Sequence, residues 1–312
     1  MGLNLDGLNR GLGLDLSSCH LRALVAVAEY RNFAAAATDL GISQPTLTRT
    51  VRRAEDVLGV SLSTRTTRRV ALTAAGREFM PMAERLLSDL GLGIRNIREL
   101  ADVERGQVVI ASLMTIAHGI LPTVVRQLAE QYLSVAVELR EGVQVRALEE
   151  VRGGSADFGL GDSADVVGHL ELEPLGEHGF RIALPNGHRL LRRKSVSLSD
   201  LAEERLVSMP TEAAARRTLD AAALAVGIIV NSHFTVGQFT TAFQLVAEGL
   251  GVAIVPATYF NGGHPDKVFS RPLKAPGAVQ HLSVISRRDR VVTPAAAAFI
   301  SILRDCWPAK LG

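Results

Sequence analysis

Between Ser43 and Arg69 the chain places six arginines, Arg49, Arg52, Arg53, Arg65, Arg68 and Arg69, against Glu55 and Asp56. Gln44, Thr46 and Thr48 are interleaved with the first of them. Gln and Arg form bidentate hydrogen bonds with adenine and guanine edges, and hydroxyls suit bases or phosphates alike. A local basic stripe is also what phosphate contact requires. The net charge is only +2, so the balanced remainder of the chain is kept off polyanions. A polar, arginine-rich helix face is by itself also what a solvated surface looks like. The elements around it have to decide.

Other chemistries find little support. His118, His178, His188, His233 and His281 are scattered without an HxxxH or HExxH spacing, and are read as surface or hydrogen-bonded core histidines, with His118 a pocket candidate. Cys19 and Cys306 stand near opposite ends with no CxxC or Cys/His cluster. They are read as ordinary buried or semi-buried thiols, with no zinc site or redox pair. The Ser155-Ala156-Asp157 stretch lacks a nucleophile elbow, and Asp157 is expected to anchor the sheet or hinge. Gly159–Gly161 lacks the full dinucleotide fingerprint, and no phosphate-binding loop motif occurs. The reading is a protein that is no enzyme and uses no cofactor or metal.

The elements that must position the basic stripe are legible. Leu21, Leu24, Val25 and Ala28 fall on one helical face. Phe33, Ala36, Ala37 and Leu40 repeat that spacing behind Asn32, a good N-cap. Gly41 suits a left-handed helix end, and Ile42 is expected to fill the corner. Ser43 can cap a third helix that carries Pro45 in its first turn, where no intrahelical amide is needed. That helix would bury Leu47, Val51, Ala54 and Leu58 and turn Gln44, Thr46, Thr48, Arg49, Arg52 and Arg53 outward. Val60–Leu62 and Val70–Leu72 then flank a Thr-rich basic tip and read as a wing hairpin. Arg65, Arg68 and Arg69 there would grip phosphates or enter the minor groove.

Thr73 can cap a helix running to about Asp102. Along it, Phe79, Ala83, Leu86, Leu90, Ile94, Ile97 and Ala101 form an apolar seam. A lone exposed helix would leave that seam wet, so pairing with a second copy is expected. From Gln107 the texture becomes alternating strands and helices: strands at Val108–Ala111, Val135–Glu141 and Phe158–Gly161, helices at Ile120–Tyr132 and Val143–Val151. That order implies a parallel sheet with helices on both faces. A second unit follows, with strands near Phe180–Pro185, Leu206–Met209, Ser232–Val236 and Val252–Val255. Two such lobes enclose a cleft, and ligands in open α/β sheets bind at the carboxyl ends of strands.

A chain of 312 residues exceeds one ordinary core. Hydrophobic residues at 47% exclude an intrinsically disordered protein. The longest apolar run, Ala221–Val230, is about half of what a membrane span needs. The first residues, with Asp6, Arg10 and Asp15, do not form a signal peptide. A cytoplasmic protein is expected.

The run from Ala34 to Leu62, AAAATDLGISQPTLTRTVRRAEDVLGVSL, with Arg68–Gly76, closely resembles the DNA-binding domain of LysR-type transcriptional regulators. Two positions depart: Ser63 stands where the family usually has Phe, and Thr64 where an acidic or polar residue is common, which puts the packing of the wing's base in question. The resemblance continues through Gly106–Ala111 with Leu121-Pro122, Val135–Gly142, Gly153–Gly159, Pro185–Leu190 and Val246–Pro256, which look like the same family's effector domain. Leu133 replaces a common proline. The family implies dimerisation through the long helix, with recognition helices reaching successive major grooves roughly 34 Å apart.

The fold expected is therefore α/β multidomain. A winged helix-turn-helix covers 15–73, a linker helix 74–104 and a two-lobed effector domain 105–312, resembling periplasmic binding proteins. Lobe I takes about 105–161 and 275–312, lobe II about 162–274. The DNA-contact set is Asn32, Ser43, Gln44, Pro45, Thr46, Thr48, Arg49, Arg52, Arg53, Arg65, Arg68 and Arg69. Carried over by position, the effector pocket takes Ser112, Leu113, Met114 and Thr115 beside a helix start able to hold an anion, then Ser208, Pro210 and Thr211, and across the cleft Phe234, Val236 and Gln238. Hydroxyls and amides without a dedicated arginine suggest a small organic acid or similar polar metabolite. The expected partners are double-stranded DNA with an interrupted inverted repeat, the effector, a second copy in a dimer or dimer of dimers, and RNA polymerase as a further candidate, with no membrane. The rivals are a solute-binding protein, which would need export, and an architectural DNA-binding protein with a vestigial pocket.

Overall fold

Ser17, Asn32 and Ser43 start the first three helices as side-chain caps. Helix α1 (Ser18–Tyr30) is closed by a capping box between Ser17 and His20. Helix α2 (Phe33–Asp39) has the Asn32 carboxamide oxygen accepting from the amides of Ala34 and Ala35, at 2.8 and 3.2 Å. Helix α3 (Gln44–Leu58) begins with the Ser43 hydroxyl accepting from the Thr46 amide. Between α2 and α3 the backbone at Gly41 has φ +65, the left-handed region that costs glycine least. The computed structural model describes residues 16–65, 70–101, 106–164, 166, 168, 170–260 and 266–307. It falls into two compact units, Met1–Arg95 and Asn96–Gly312.

In the first unit Leu24, Val27, Phe33, Ala36, Leu47, Val51 and Ala54 form one core. The small side chains of α2 let its backbone approach α1 and α3. Leu58 is only half-buried, and Ile42, expected to fill the corner, is instead 36% exposed, while Ala37 and Leu47 on the adjoining helices are buried. Strands β1 (Ser63–Arg65) and β2 (Val70–Leu72) pair antiparallel as the wing's stem. Its root is tied to α3: one Glu55 carboxylate oxygen accepts from the amides of Leu62 and Ser63, at 2.8 and 3.0 Å, and from the Ser63 hydroxyl. Ser63, the departure from the family's pattern, thus has a polar role where a phenyl ring would pack. Helix α4 (Ala74–Ala101) starts at Thr73, whose hydroxyl accepts from the Gly76 amide and donates to the Ser61 carbonyl. The expected end at Asp102 lies outside the described residues.

The second unit has two sheets. Strands β3 (Gln107–Leu113), β4 (Ala136–Gly142) and β5 (Phe158–Asp162) run parallel, as expected. Strands β6 (Leu170–His178) and β13 (Gln280–Arg287) complete that sheet in the order β4-β3-β5-β13-β6, with β13 antiparallel to both of its neighbours. The expectation of a wholly parallel sheet is corrected by these two. The expected start of lobe II near residue 162 is corrected as well: β6 still belongs to the first sheet, and the chain crosses at Gly179. The second sheet has the order β10-β9-β11-β7-β12-β8, from β7 (Phe180–Pro185), β8 (Val196–Ser197), β9 (Leu206–Ser208), β10 (Ser232–Thr235), β11 (Val252–Pro256) and β12 (Val268–Lys274). It too is mixed, since β7 pairs antiparallel with β11 and β12.

Helices α5 (Met114–Gly119), α6 (Leu121–Gln131), α7 (Gln144–Gly153) and α11 (Pro294–Cys306) cover the first sheet; α8 (Ala214–Ala225), α9 (Phe239–Ala247) and the short α10 (Ala257–Phe260) belong to the second. Asp157 anchors the first sheet, its buried carboxylate accepting from the Val109 amide at 2.7 Å. The lobes touch closely where α5 meets α10. A Cβ at Gly119 would stand 2.0 Å from the Thr258 carbonyl oxygen, so only glycine fits, and His118 stacks on Tyr259 with ring centroids 4.4 Å apart.

Candidate nucleic-acid interface and ligand cleft

The outer face of α3 presents Gln44, Pro45, Arg49, Arg52 and Arg53 to solvent, with Thr46 and Thr48 half-buried beside them. The buried side of the same helix is Leu47, Val51 and Ala54, so the three- and four-residue spacing fixes which side chains can reach a groove. Ser43 and Thr46 are engaged with each other, hydroxyl to hydroxyl at 2.8 Å, and the Asn32 oxygen is occupied by its capping role. These residues hold the helix starts; Arg49, Arg52, Arg53 and Gln44 are the extended groups on the outer face. Arg68 and Arg69 lie outside the described residues, as does the side chain of Arg65.

The apolar seam of α4 divides. Phe79 and Ala83 pack into the first unit's core or against it, whereas Leu86, Leu90, Ile94 and Ile97 stand exposed, Ile97 by 70%. The side chain of Ala101 is outside the described residues.

In the second unit a cleft of about 100 Å³ opens between the lobes. Lobe I supplies Leu113, Met114, Thr115, Gly142, Val143, Gln144 and Gln280; lobe II supplies Met209, Ala213, Ala214, Ala215, Gly237 and Phe239. Four helices start on it: α5 after Leu113, α7 after Val143, α8 after Ala213 and α9 after Gln238. None of the four has a side-chain cap. Helix α6, which follows directly from α5 at Ile120, is also uncapped, while α11 has Thr293. The first amides of a helix lack intrahelical partners and carry the positive end of its dipole. Four such ends on one small cleft make a place for negative charge.

Of the pocket residues expected, Leu113, Met114 and Thr115 line the cleft. The others do not. Ser112 is fully buried, its hydroxyl on the Leu113 carbonyl. Ser208 accepts from Arg216 at 2.6 Å. Pro210 and Thr211 lie in the turn before α8, and Thr211 is exposed. Phe234 and Val236 pack into the lobe II core, and Gln238 points to solvent between two lining neighbours. Alternate residues of a strand face opposite sides, so a placement off by one position moves a side chain out of the site. Buried Arg216 is engaged inside its lobe, with Asp220 at 2.7 Å, Ser232 at 2.6 Å and the Val230 carbonyl at 2.7 Å.

The lining residues that sequence reasoning missed are those around the uncapped starts of α7, α8 and α9, Gln144 included, with Met209 and Gln280. The signal was available in part: Val143 and Ala213 stand where helix starts usually carry Ser, Thr, Asp or Asn. Gln144 is pinned, donating to the Asp162 carbonyl at 2.6 Å and accepting from its amide at 3.0 Å. Among the described residues no cluster of three or more His, Cys, Asp or Glu could hold a metal ion, and no helix is long and apolar enough to cross a membrane.

Residues 19–77 match the family described as bacterial regulatory helix-turn-helix protein, lysR family, and residues 101–307 match the LysR substrate binding domain. The chain belongs to the LysR family. As a LysR-type protein it is a DNA-binding transcription regulator with an effector-binding domain, and not an enzyme. The transcriptional regulator YbhD of Escherichia coli K12 is 28% identical, over 94% of this chain and 92% of its own. A probable hydrogen peroxide-inducible genes activator of Streptomyces viridosporus is 33% identical, over 78% of each chain. Among solved structures, the LysR family regulator CbnR has a TM-score of 0.70 at 24% identity, over 94% of this chain and all of its own, and CbnR with its target DNA gives the same score. At that identity the likeness concerns the fold. LysR regulators bind DNA and small-molecule effectors and form oligomers.

Proposed function

We propose that this LysR regulator responds to a small organic acid held between the lobes, with its carboxylate on the uncapped starts of α5, α7, α8 and α9. The convergence of those four starts carries the reading. Each helix end contributes about 0.3–1 kcal/mol to a nearby anion, and the apolar walls of Met114, Val143, Met209 and Phe239 favour a compact carbon body. Ligand binding acts by preferring one arrangement of the lobes, since a ligand indifferent to both would shift nothing. Thermal unfolding of the full chain with short-chain carboxylates and the matching primary amides is the test. The acids are expected to raise the midpoint and the amides to leave it unchanged; equal shifts would remove the carboxylate from the reading.

On DNA, Gln44, Thr48, Arg49, Arg52 and Arg53 read the major groove, Asn32, Ser43, Pro45 and Thr46 set the helix starts against the backbone, and Arg65, Arg68 and Arg69 hold the flanks. Residues 15–73 act as the DNA-binding head, 74–104 as the linker and 105–312 as the sensor. The exposed seam Leu86, Leu90, Ile94 and Ile97 favours a homodimer on an interrupted inverted repeat, assembling further as a dimer of dimers, acting in the cytoplasm with RNA polymerase as the recipient of the signal. The peroxide response in some relatives' names is not carried over. Burial and the neighbouring Asp305 raise the pKa of Cys306, which disfavours the thiolate that peroxide chemistry uses, and Cys19 lies exposed on α1.

A further inference from the structure

Two glutamines share the wall of the cleft, and their carboxamide oxygens are in opposite states. Gln144 has both ends of its amide engaged with Asp162. Gln280 is only 2% exposed and lines the same cleft, and its side-chain oxygen is buried without a hydrogen-bond partner. It opens β13, where the chain has just returned from lobe II. A buried carboxamide oxygen only accepts, and leaving it without a donor carries its full desolvation cost. Thr115, the hydroxyl-bearing side chain of the wall, both donates and accepts and imposes no such demand.

We propose that Gln280 reads a hydrogen-bond donor on the effector, so that the cleft selects a compact hydroxy- or amino-substituted carboxylate over the plain acid. The inference rests on the reading of the cleft as a carboxylate site. The uncapped helix starts take the charge; Gln280 takes the donor and sets specificity. A site built around such a group rejects an analogue lacking it, because the acceptor is then left buried and unpaired.

The competing use of this oxygen is structural. His178 is the cross-strand partner of Gln280. The His178 Nε2 accepts from the Trp307 indole at 3.0 Å, which places the ring proton on Nδ1, and that buried nitrogen also has no partner. A water between Nδ1 and the Gln280 oxygen would satisfy both. His178, however, packs against Trp307 and is not part of the cleft lining, whereas Gln280 is.

Isothermal titration of the full chain with propionate and lactate, butyrate and 3-hydroxybutyrate, and propionamide and lactamide separates these uses. The hydroxy acids are expected to bind about 10- to 100-fold more tightly than their deoxy partners. In Gln280→Met, which keeps the length of the side chain and removes its amide, the ratio of hydroxy to deoxy acid should fall to about twofold, whatever the variant does to the absolute affinity of either. Equal binding within each pair by the unmodified chain overturns the inference, and that comparison needs no variant to fold. A preference that survives Gln280→Met, or a variant that changes the thermal midpoint alone, overturns it too and assigns the oxygen to the water bridge. If amides bind as well as acids, the carboxylate reading falls, while lactamide against propionamide still reports on the donor. Failure of every pair to bind overturns the class of ligand named here.

Discussion

The two units treat the same backbone feature in opposite ways. In the DNA-binding unit, each helix start among the described residues is sealed by a side chain from just outside it: Ser17, Asn32, Ser43 and Thr73. In the effector unit, the four starts that meet at the cleft are left to Leu113, Val143, Ala213 and Gln238, which supply no cap. Sealing frees the first unit to recognise with long side chains on a rigid helix. On the reading proposed above, leaving the ends open lets the second recognise with its own main chain, while its polar side chains Gln144 and Arg216 are engaged within their lobes. The same four amides at a helix start are a liability in one place and a binding surface in the other.

That contrast can be broken from either side. The largest effect should come from Arg49→Ala, which removes an exposed recognition side chain: operator affinity is expected to fall by about 1–3 kcal/mol, with relaxed specificity if Arg49 reads a base. Quantitative gel shift at fixed salt on the native operator and single-base variants measures both; unchanged affinity would displace α3 as the reading element. Next, Ala213→Asp supplies the cap that α8 lacks. It should stabilise the chain by about 0.5–2 kcal/mol and yet cut carboxylate binding at least about tenfold, since a resident anion now occupies the amides. Calorimetry with and without acid checks it, and a cap that leaves binding intact would exclude α8 from the site. The reverse change, Asn32→Ala, removes a seal whose oxygen serves two amides, and a loss of about 1 kcal/mol in denaturant unfolding is expected.

The smallest effect concerns the effector unit's own sealed polar group. Burial holds the pKa of His178 below its ordinary value of 6.5, so the folded chain binds this proton less readily than the unfolded one. Its contribution is fully present above about pH 6.5 and is lost as pH falls through the lowered value. Stability measured between pH 7.5 and 5 should decline more steeply in the parent than in His178→Gln; parallel curves would mean that another group governs the slope.

The helix-turn-helix was legible because its signals are local. Caps, the glycine at 41 and apolar spacings over a few residues each specify their own element. Ile42 failed as a core position because it lies between two helices, where no periodic spacing tells which way a side chain faces. Strands β6 and β13 escaped notice for a different reason. LELEPLGEH alternates with glutamates and contains Pro174, a pattern suited to an edge strand with one wet face rather than to a buried parallel one. Gln280 carries no local signal at all: only the return of β13 to the first sheet brings it beside Val143 and Gln144. Ser112, Ser208, Pro210, Thr211, Phe234, Val236 and Gln238 stand within one to three residues of positions that line the cleft, about the distance over which a strand end reverses its side chains, whereas Gly142, Val143, Gln144 and Gln280 were not among the expected residues.

The bond network at Glu55 has a consequence for how an operator is spelled. Because one carboxylate on α3 holds the first two amides of the wing, helix and wing form a single lever with a constant pitch between them. If α3 and the wing meet DNA as proposed, such a head measures it in fixed helical phase. Inserting one base pair between the segment met by α3 and the segment beside it would turn the second about 34° out of step, and a jointed protein could follow where this one would have to let go of one contact or the other.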